Sequence, residues 1–188
     1  MPRGTYRSAS GDETFSCAPG PSGWRYVGAG PDAQLDLTVD SGGRQVRVEL
    51  ASGDWLLRGG VSGASTVWVR SGAGAAGVER SAPAAGFAGS SPGLLVAAVR
   101  LLRLSPGARA RLRLVSVSGQ ALATRVVEQG WELVGVTSHP TELGPLPVGR
   151  YRVADLDTGE VDEVHVAGDV VLAAPGVELV ELSSPPNR

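Results

Sequence analysis

Hydrophobic and polar residues alternate along most of this chain with the period of a β-strand, and the pattern turns helical in one place. Leu35, Leu37 and Val39 alternate with Asp36, Thr38 and Asp40; after Ser41-Gly42-Gly43 the alternation resumes with Val46, Val48 and Leu50 against Arg47 and Glu49. Successive side chains of a strand face opposite ways, so this stretch predicts a hairpin with one apolar face and one charged face. Shorter strands are predicted at 4–9, 13–18 and 23–28, separated by Gly11-Asp12 and by Pro19-Gly20-Pro21-Ser22-Gly23, and again at 54–59 and 65–70. Past residue 108 the same reading gives strands near 109–117, 120–128, 130–138, 149–155, 160–167, 169–174 and 177–182.

The helical exception runs from Ser91 to Ser105. Ser91 is placed to cap it, Pro92 suits its first position, and Ser105-Pro106-Gly107 ends it. Between Leu94 and Leu104 every residue except Arg100 and Arg103 is Leu, Val or Ala, so the helix is expected to be buried nearly all round, with Leu95, Val99 and Leu102 in the core. Its length of roughly 20 Å falls short of a bilayer core of about 30 Å, which makes a curved sheet its expected container. Residues 71–90 are Gly, Ala, Ser and Pro with few bulky side chains and predict a long flexible loop; the tail 183–188 is expected to fray.

Composition sharpens this picture. The 188 residues fit one domain, and 27 Gly with 13 Pro supply turns for many short strands. The expected fold is mainly β: an antiparallel sheet curled into a barrel or half-barrel with one buried helix at about 92–104. A net charge of −2 argues against a nucleic-acid binder, and one cysteine (Cys17) with two histidines (His139, His165) cannot build a closed zinc site. No metal or cofactor is therefore expected. The first residues lack the apolar core of a secretory signal and no stretch is long enough to span a membrane, which reads as cytoplasmic.

Two motifs look like chemistry and fail on context. Gly72-Ala-Gly-Ala-Ala-Gly77 fits a dinucleotide fingerprint, but no helical period follows to offer amide groups to a pyrophosphate. Gly89-Ser-Ser-Pro-Gly93 fits a nucleophile elbow around Ser91, but Pro92 lacks the N–H that would hold an oxyanion. Neither histidine has a carboxylate that the sequence places beside it, so no catalytic residue is assigned.

Charge is distributed unevenly. From Arg80 to Val127 there are seven Arg and no acid. Arg109, Arg111 and Arg113 project from one face of a strand, a row able either to grip an anion in bidentate fashion or to pair with acids between Asp155 and Glu163. Trp68, Trp131 and Tyr151 are the aromatic candidates for a cavity lining.

The succession of hairpins, a capped apolar helix from Ser91-Pro92, and strands including Gly149-Arg-Tyr-Arg-Val153 and Val161-Asp-Glu-Val-His-Val166 resembles bacterial curved-sheet families. These include the glycolipid-binding proteins and the lipoprotein-carrier-like half-barrels. The resemblance implies a helix covering an apolar concavity and a role in holding lipid-like molecules. The expected function is non-enzymatic binding of an apolar or amphipathic, lipid-like small molecule between sheet and helix, anionic where the arginine row takes part, with Arg109, Arg111, Arg113, Trp68, Trp131 and Tyr151 at the site. Two alternatives stand beside it: an enzyme on the same scaffold using a loop residue such as His139, and an interaction module forming a homodimer through exposed strand edges.

Overall fold

The computed structural model describes residues 1–20, 23–72 and 74–187. Pro21 and Ser22 of the first predicted turn cluster, Ala73 of the predicted loop and Arg188 of the predicted tail lie outside the described residues. The alternating segments form strands β1 (Arg3–Ser8), β2 (Gly11–Gly20), β3 (Gly23–Ala29), β4 (Gln34–Asp40), β5 (Gln45–Ser52), β6 (Trp55–Ser62), β7 (Ser65–Gly72) and β8 (Ala75–Ala82). After the two-residue β9 (Phe87–Ala88) and helix α1 (Pro92–Leu102) come β10 (Arg109–Ser118), β11 (Ala123–His139), β12 (Leu146–Asp155), β13 (Val161–Ala167), β14 (Val170–Ala174) and β15 (Val177–Leu182).

Among the described residues fifteen strands join one sheet in the order β8-β7-β6-β5-β4-β3-β2-β1-β15-β14-β13-β12-β11-β10-β9. Two antiparallel meanders thus meet where β1 pairs with β15, and β9 pairs with β10 in parallel. The sheet curls without closing, because β8 and β9 follow each other in the chain yet share no ladder. Side chains bridge that break. The Thr66 hydroxyl donates to Ala84 O at 2.9 Å, while buried Gln45 accepts from Phe87 N at 2.7 Å and donates to Phe87 O at 3.0 Å.

Gln45 reaches the interior through a local irregularity. The β4–β5 register slips between Thr38 and Val39, so that Val39 faces Gln45. A one-residue slip exchanges the two faces of a strand. Val46, expected inside, is consequently exposed, and Gln45 takes its place. Farther along, Leu35, Leu37, Val48 and Leu50 face inward as the alternation predicts, and the opposite face carries Arg25–Asp36 and Arg58–Glu49 ion pairs.

Helix α1 lies in the concavity against β3, β4, β9 and β14. Leu94, Val96, Ala97 and Ala98 are buried, whereas Leu95, Val99 and Leu102 are half-buried and pack on the edge of the core. The helix stops two residues before its predicted end, with Arg103 in the left-handed region at φ 46° donating its N–H to Val99 O. The Arg103 guanidinium offsets that conformation by bonding Ser41 O across the β4–β5 turn. Gly43 makes this contact feasible: at φ +88° a Cβ would stand 2.6 Å from Arg100 O and the Leu101 backbone.

Two other expectations are corrected. Residues 71–72, 75–82 and 87–88 belong to β7, β8 and β9, so the described part of 71–90 is no long loop; ladder bonds to β7 satisfy the backbone of β8, whose small side chains carry little strand signal. The tail is tied down as far as Asn187. Ser183 N bonds Arg3 O at 2.8 Å, and Asn187 donates through N and Nδ2 to Asp169 at 2.8 and 2.6 Å. Asp169 is fully buried and also accepts the Trp24 indole N–H at 3.0 Å, while the Arg100 guanidinium lies 5.5 Å from the Trp24 ring. This network shuts the end of the sheet beside the helix C-terminus.

Leu94→Ala should cost about 3 kcal/mol in urea unfolding, and the half-buried Leu102→Ala about 1 kcal/mol. Equal losses would mean that the helix presents a different face to the core. Asp169→Ala should cost about 3 kcal/mol, since it strands a buried indole N–H and releases the tail; a cost within about 0.5 kcal/mol would place this network outside the stabilising core.

Candidate functional site

The opposite end of the sheet, beside the helix N-terminus, is open. The turns after β1, β3, β10 and β14 converge there with residues 89–91 and leave a cleft of about 450 Å³. That volume lies within the range of ordinary small-molecule sites. Its inner wall is apolar, built from buried Leu35, Leu50, Leu94 and Leu122 with Val117 and Val177. Its rim is hydroxyl-rich and acidic, with serines 8, 10, 52, 90 and 91 and the carboxyl groups of Glu13 and Asp32. No Arg or His lines it among the described residues.

Glu13 is placed by alternation along β2, where it shares the inner face with Phe15 and Cys17. Its Oε1 accepts the Tyr26 hydroxyl at 3.0 Å. Gly28 on β3, which faces Phe15, leaves room for the carboxyl group, since a Cβ there would come within 2.3 Å of the same oxygen. Burial raises the Glu13 pKa above the ordinary carboxylate value, and the Tyr26 bond works against that rise. Tyr26 is pushed well above the ordinary phenol value, first by its own burial and then by the Glu13 charge.

Ser91 does not cap the helix as the sequence suggests. Its side chain makes no capping bond, and its Oγ is buried with no hydrogen-bond partner among the described residues. A buried hydroxyl in that state costs about 1–3 kcal/mol relative to a satisfied one. Leu122 carries a second local cost, because φ 49° puts a non-glycine residue in the left-handed region, at roughly 1–2 kcal/mol. Both residues line the same cleft.

The predicted site residues do not converge on one site, although Trp131 and Tyr151 meet. Arg109, Arg111 and Arg113 are exposed on the outer face of β10, while Leu112 and Leu114 between them face the core. Arg109 pairs with Glu132 at 2.9 Å, and Glu132 also meets Arg152 at 3.7 Å. Two of the acids proposed as partners of the row are engaged elsewhere: Asp155 with Arg125 at 3.4 Å, and Glu163 with Arg150 at 3.6 Å and His165 at 2.8 Å. Trp131 is core, donating to Gln129 Oε1 at 3.1 Å, with the Tyr151 ring edge-on at 6.2 Å. Trp68 lines two smaller clefts on the far side of the β10–β11 turn. His139 is exposed at the end of β11.

Sequence reasoning missed Glu13, Tyr26 and Leu122. For Glu13 a signal existed: counting back by twos from Phe15 and Cys17 places it inside, although Asp12-Glu13-Thr14 reads as a polar surface. The convergence of distant turns carries no sequence signal.

No protein-family model matches this chain, and no curated protein matches it. Among solved structures it is similar to a crystal structure of a DUF1089 family protein from Pseudomonas aeruginosa, with a TM-score of 0.58 and 17% sequence identity. The match covers 87% of this chain and 89% of that one. At this identity the likeness establishes the fold: a large, curved, mostly antiparallel sheet with one helix. The resemblance to curved-sheet families is met at the level of architecture.

Proposed function

We propose that the protein binds an amphipathic small molecule without transforming it, with the ligand's apolar part against Leu35, Leu50, Leu94 and Leu122 and its head at the rim. The observation that carries this reading is the pairing of that buried apolar wall with the unpartnered Ser91 hydroxyl and the semi-buried Glu13 carboxyl in one cleft. Carboxylates and hydroxyls accept hydrogen bonds, and no Arg or His lines the cleft among the described residues, so the head that fits is neutral and rich in O–H donors, such as a sugar. The anionic head expected from the arginine row finds no counter-charge here. Two absences among the described residues weigh against hydrolysis: Ser91 has no base in hydrogen-bond contact, and Pro92 has no N–H to offer an oxyanion.

Octyl glucoside, added below its micelle-forming concentration, should raise the melting temperature by about 2–4 °C. Ser90→Trp, a change at an exposed position of the cleft wall, should remove that shift. Absence of a shift in the wild-type protein, or a shift unchanged by Ser90→Trp, would contradict the assignment.

Glu13→Gln keeps an acceptor for Tyr26 and removes the charge that burial penalises. Because the folded-state pKa of Glu13 is raised, the native state holds this proton more tightly than the unfolded chain. Its contribution is favourable below the ordinary carboxylate value and is lost as pH rises through the folded value. The variant should therefore melt above wild type at about pH 8 and lose that advantage by about pH 4. A difference independent of pH would show the carboxyl group to be solvated.

A further inference from the structure

On the other side of the β10–β11 turn, the inner face of β7 and β8 meets the start of β11 and leaves adjoining clefts of about 270 and 340 Å³. In the β7–β8 ladder Trp68 faces Arg80 and Arg70 faces Val78, so Trp68, Arg70 and Arg80 share one face and the two arginines are diagonal neighbours. Glu79 opposes Val69 and belongs to the other face. No acid lines either cleft among the described residues. Arg70 stacks on the Trp55 ring with its guanidinium carbon 4.5 Å from the centroid, and Arg125 is committed to Asp155, which leaves Arg80 without an ionic partner among the described residues.

An independent observation points to a missing acceptor. Trp24 and Trp131 each donate their indole N–H to a side-chain oxygen. Trp68 is only 5% exposed, and its Nε1 is buried with no hydrogen-bond partner among the described residues. Solvent does not reach this N–H, which stands as a buried donor on a residue that lines both clefts of the seam. Among the described residues no ladder joins β8 to β11, so entry breaks no ladder bonds between them.

We propose that this seam is a second binding site, specific for a small organic anion. Arg70 and Arg80 grip the carboxylate or phosphate head, the Trp68 N–H supplies a further donor, and the Trp55 ring with Val78 faces the apolar body. Two like charges diagonal to each other are held at a cost until an anion lies between them, and guanidinium groups suit the planar, bidentate geometry of a carboxylate or phosphate. The site uses none of the residues assigned to the cleft of the proposed function. One site can therefore fail without the other.

Calorimetric titration of the full chain with decanoate and, separately, with inorganic phosphate tests this, with neutral decanol as the control. The expected result is saturable binding of at least one anion, weakened by added salt, and none of decanol. If both anions bind, the head alone suffices; if only decanoate does, the apolar wall is needed as well. Arg70→Gln with Arg80→Gln should weaken binding by about tenfold or more. Trp68→Phe should weaken it about threefold, and Arg111→Gln on the outer face should leave it unchanged. Lack of saturable binding by either anion overturns the proposal, as does binding that persists in the Arg70/Arg80 double variant. Both arginines lie outside the fully buried core, so the decisive variant does not depend on Trp68→Phe folding.

Discussion

A sheet curled around a helix shorter than its own strands governs this structure. Eleven residues of α-helix extend about 16 Å, whereas an eight-residue strand such as β5 extends about 26 Å. The helix therefore cannot fill the concavity from end to end, and where it is anchored decides where space remains. Arg103 on Ser41, Gly43 under Arg100 and Leu101, and Arg100 over Trp24 all hold its C-terminal end. The shortfall appears at the other end, beside Ser91, as the cleft.

The same helix explains why the sheet stays open. The chain must leave β8, run through β9 and enter the interior before resuming at β10, so the link that would complete a cylinder is spent on the crossing. Gln45 and Thr66 stitch the break with side-chain bonds in place of a ladder. Charge follows this division of faces. Arg25, Arg58 and Arg109 lie outside and are paired with acids, whereas Arg70 and Arg80 turn toward the seam, where no acid lines the clefts among the described residues and Arg125 is held by Asp155.

Period-two patterning made the β4–β5 hairpin and most strand positions legible, and the all-apolar run of α1 marked its burial, because both signals are local. What was hidden depends on partners far along the chain. β8 is composed of residues with weak strand preference and exists through its ladder with β7. The slip at Val39 that turns Gln45 inward and Val46 outward has no marker in the hydrophobic pattern. The arginine row was correctly placed on one face of a strand, but alternation alone does not say which face is outward; Leu112 and Leu114 decide it. The cleft is assembled from turns more than a hundred residues apart, and among its polar groups Glu13 and Ser52 had sequence positions, in step with Phe15 and with Leu50, that pointed inside.

The central claim is that the space left beyond the helix N-terminus is occupied by an amphipathic molecule. Native mass spectrometry of protein purified without detergent tests it most directly. The account predicts a non-covalent adduct on the 19.2 kDa chain, released by gentle activation and much reduced in Ser90→Trp. A bare chain that also takes up no octyl glucoside, or an adduct equally abundant in that variant, would contradict it.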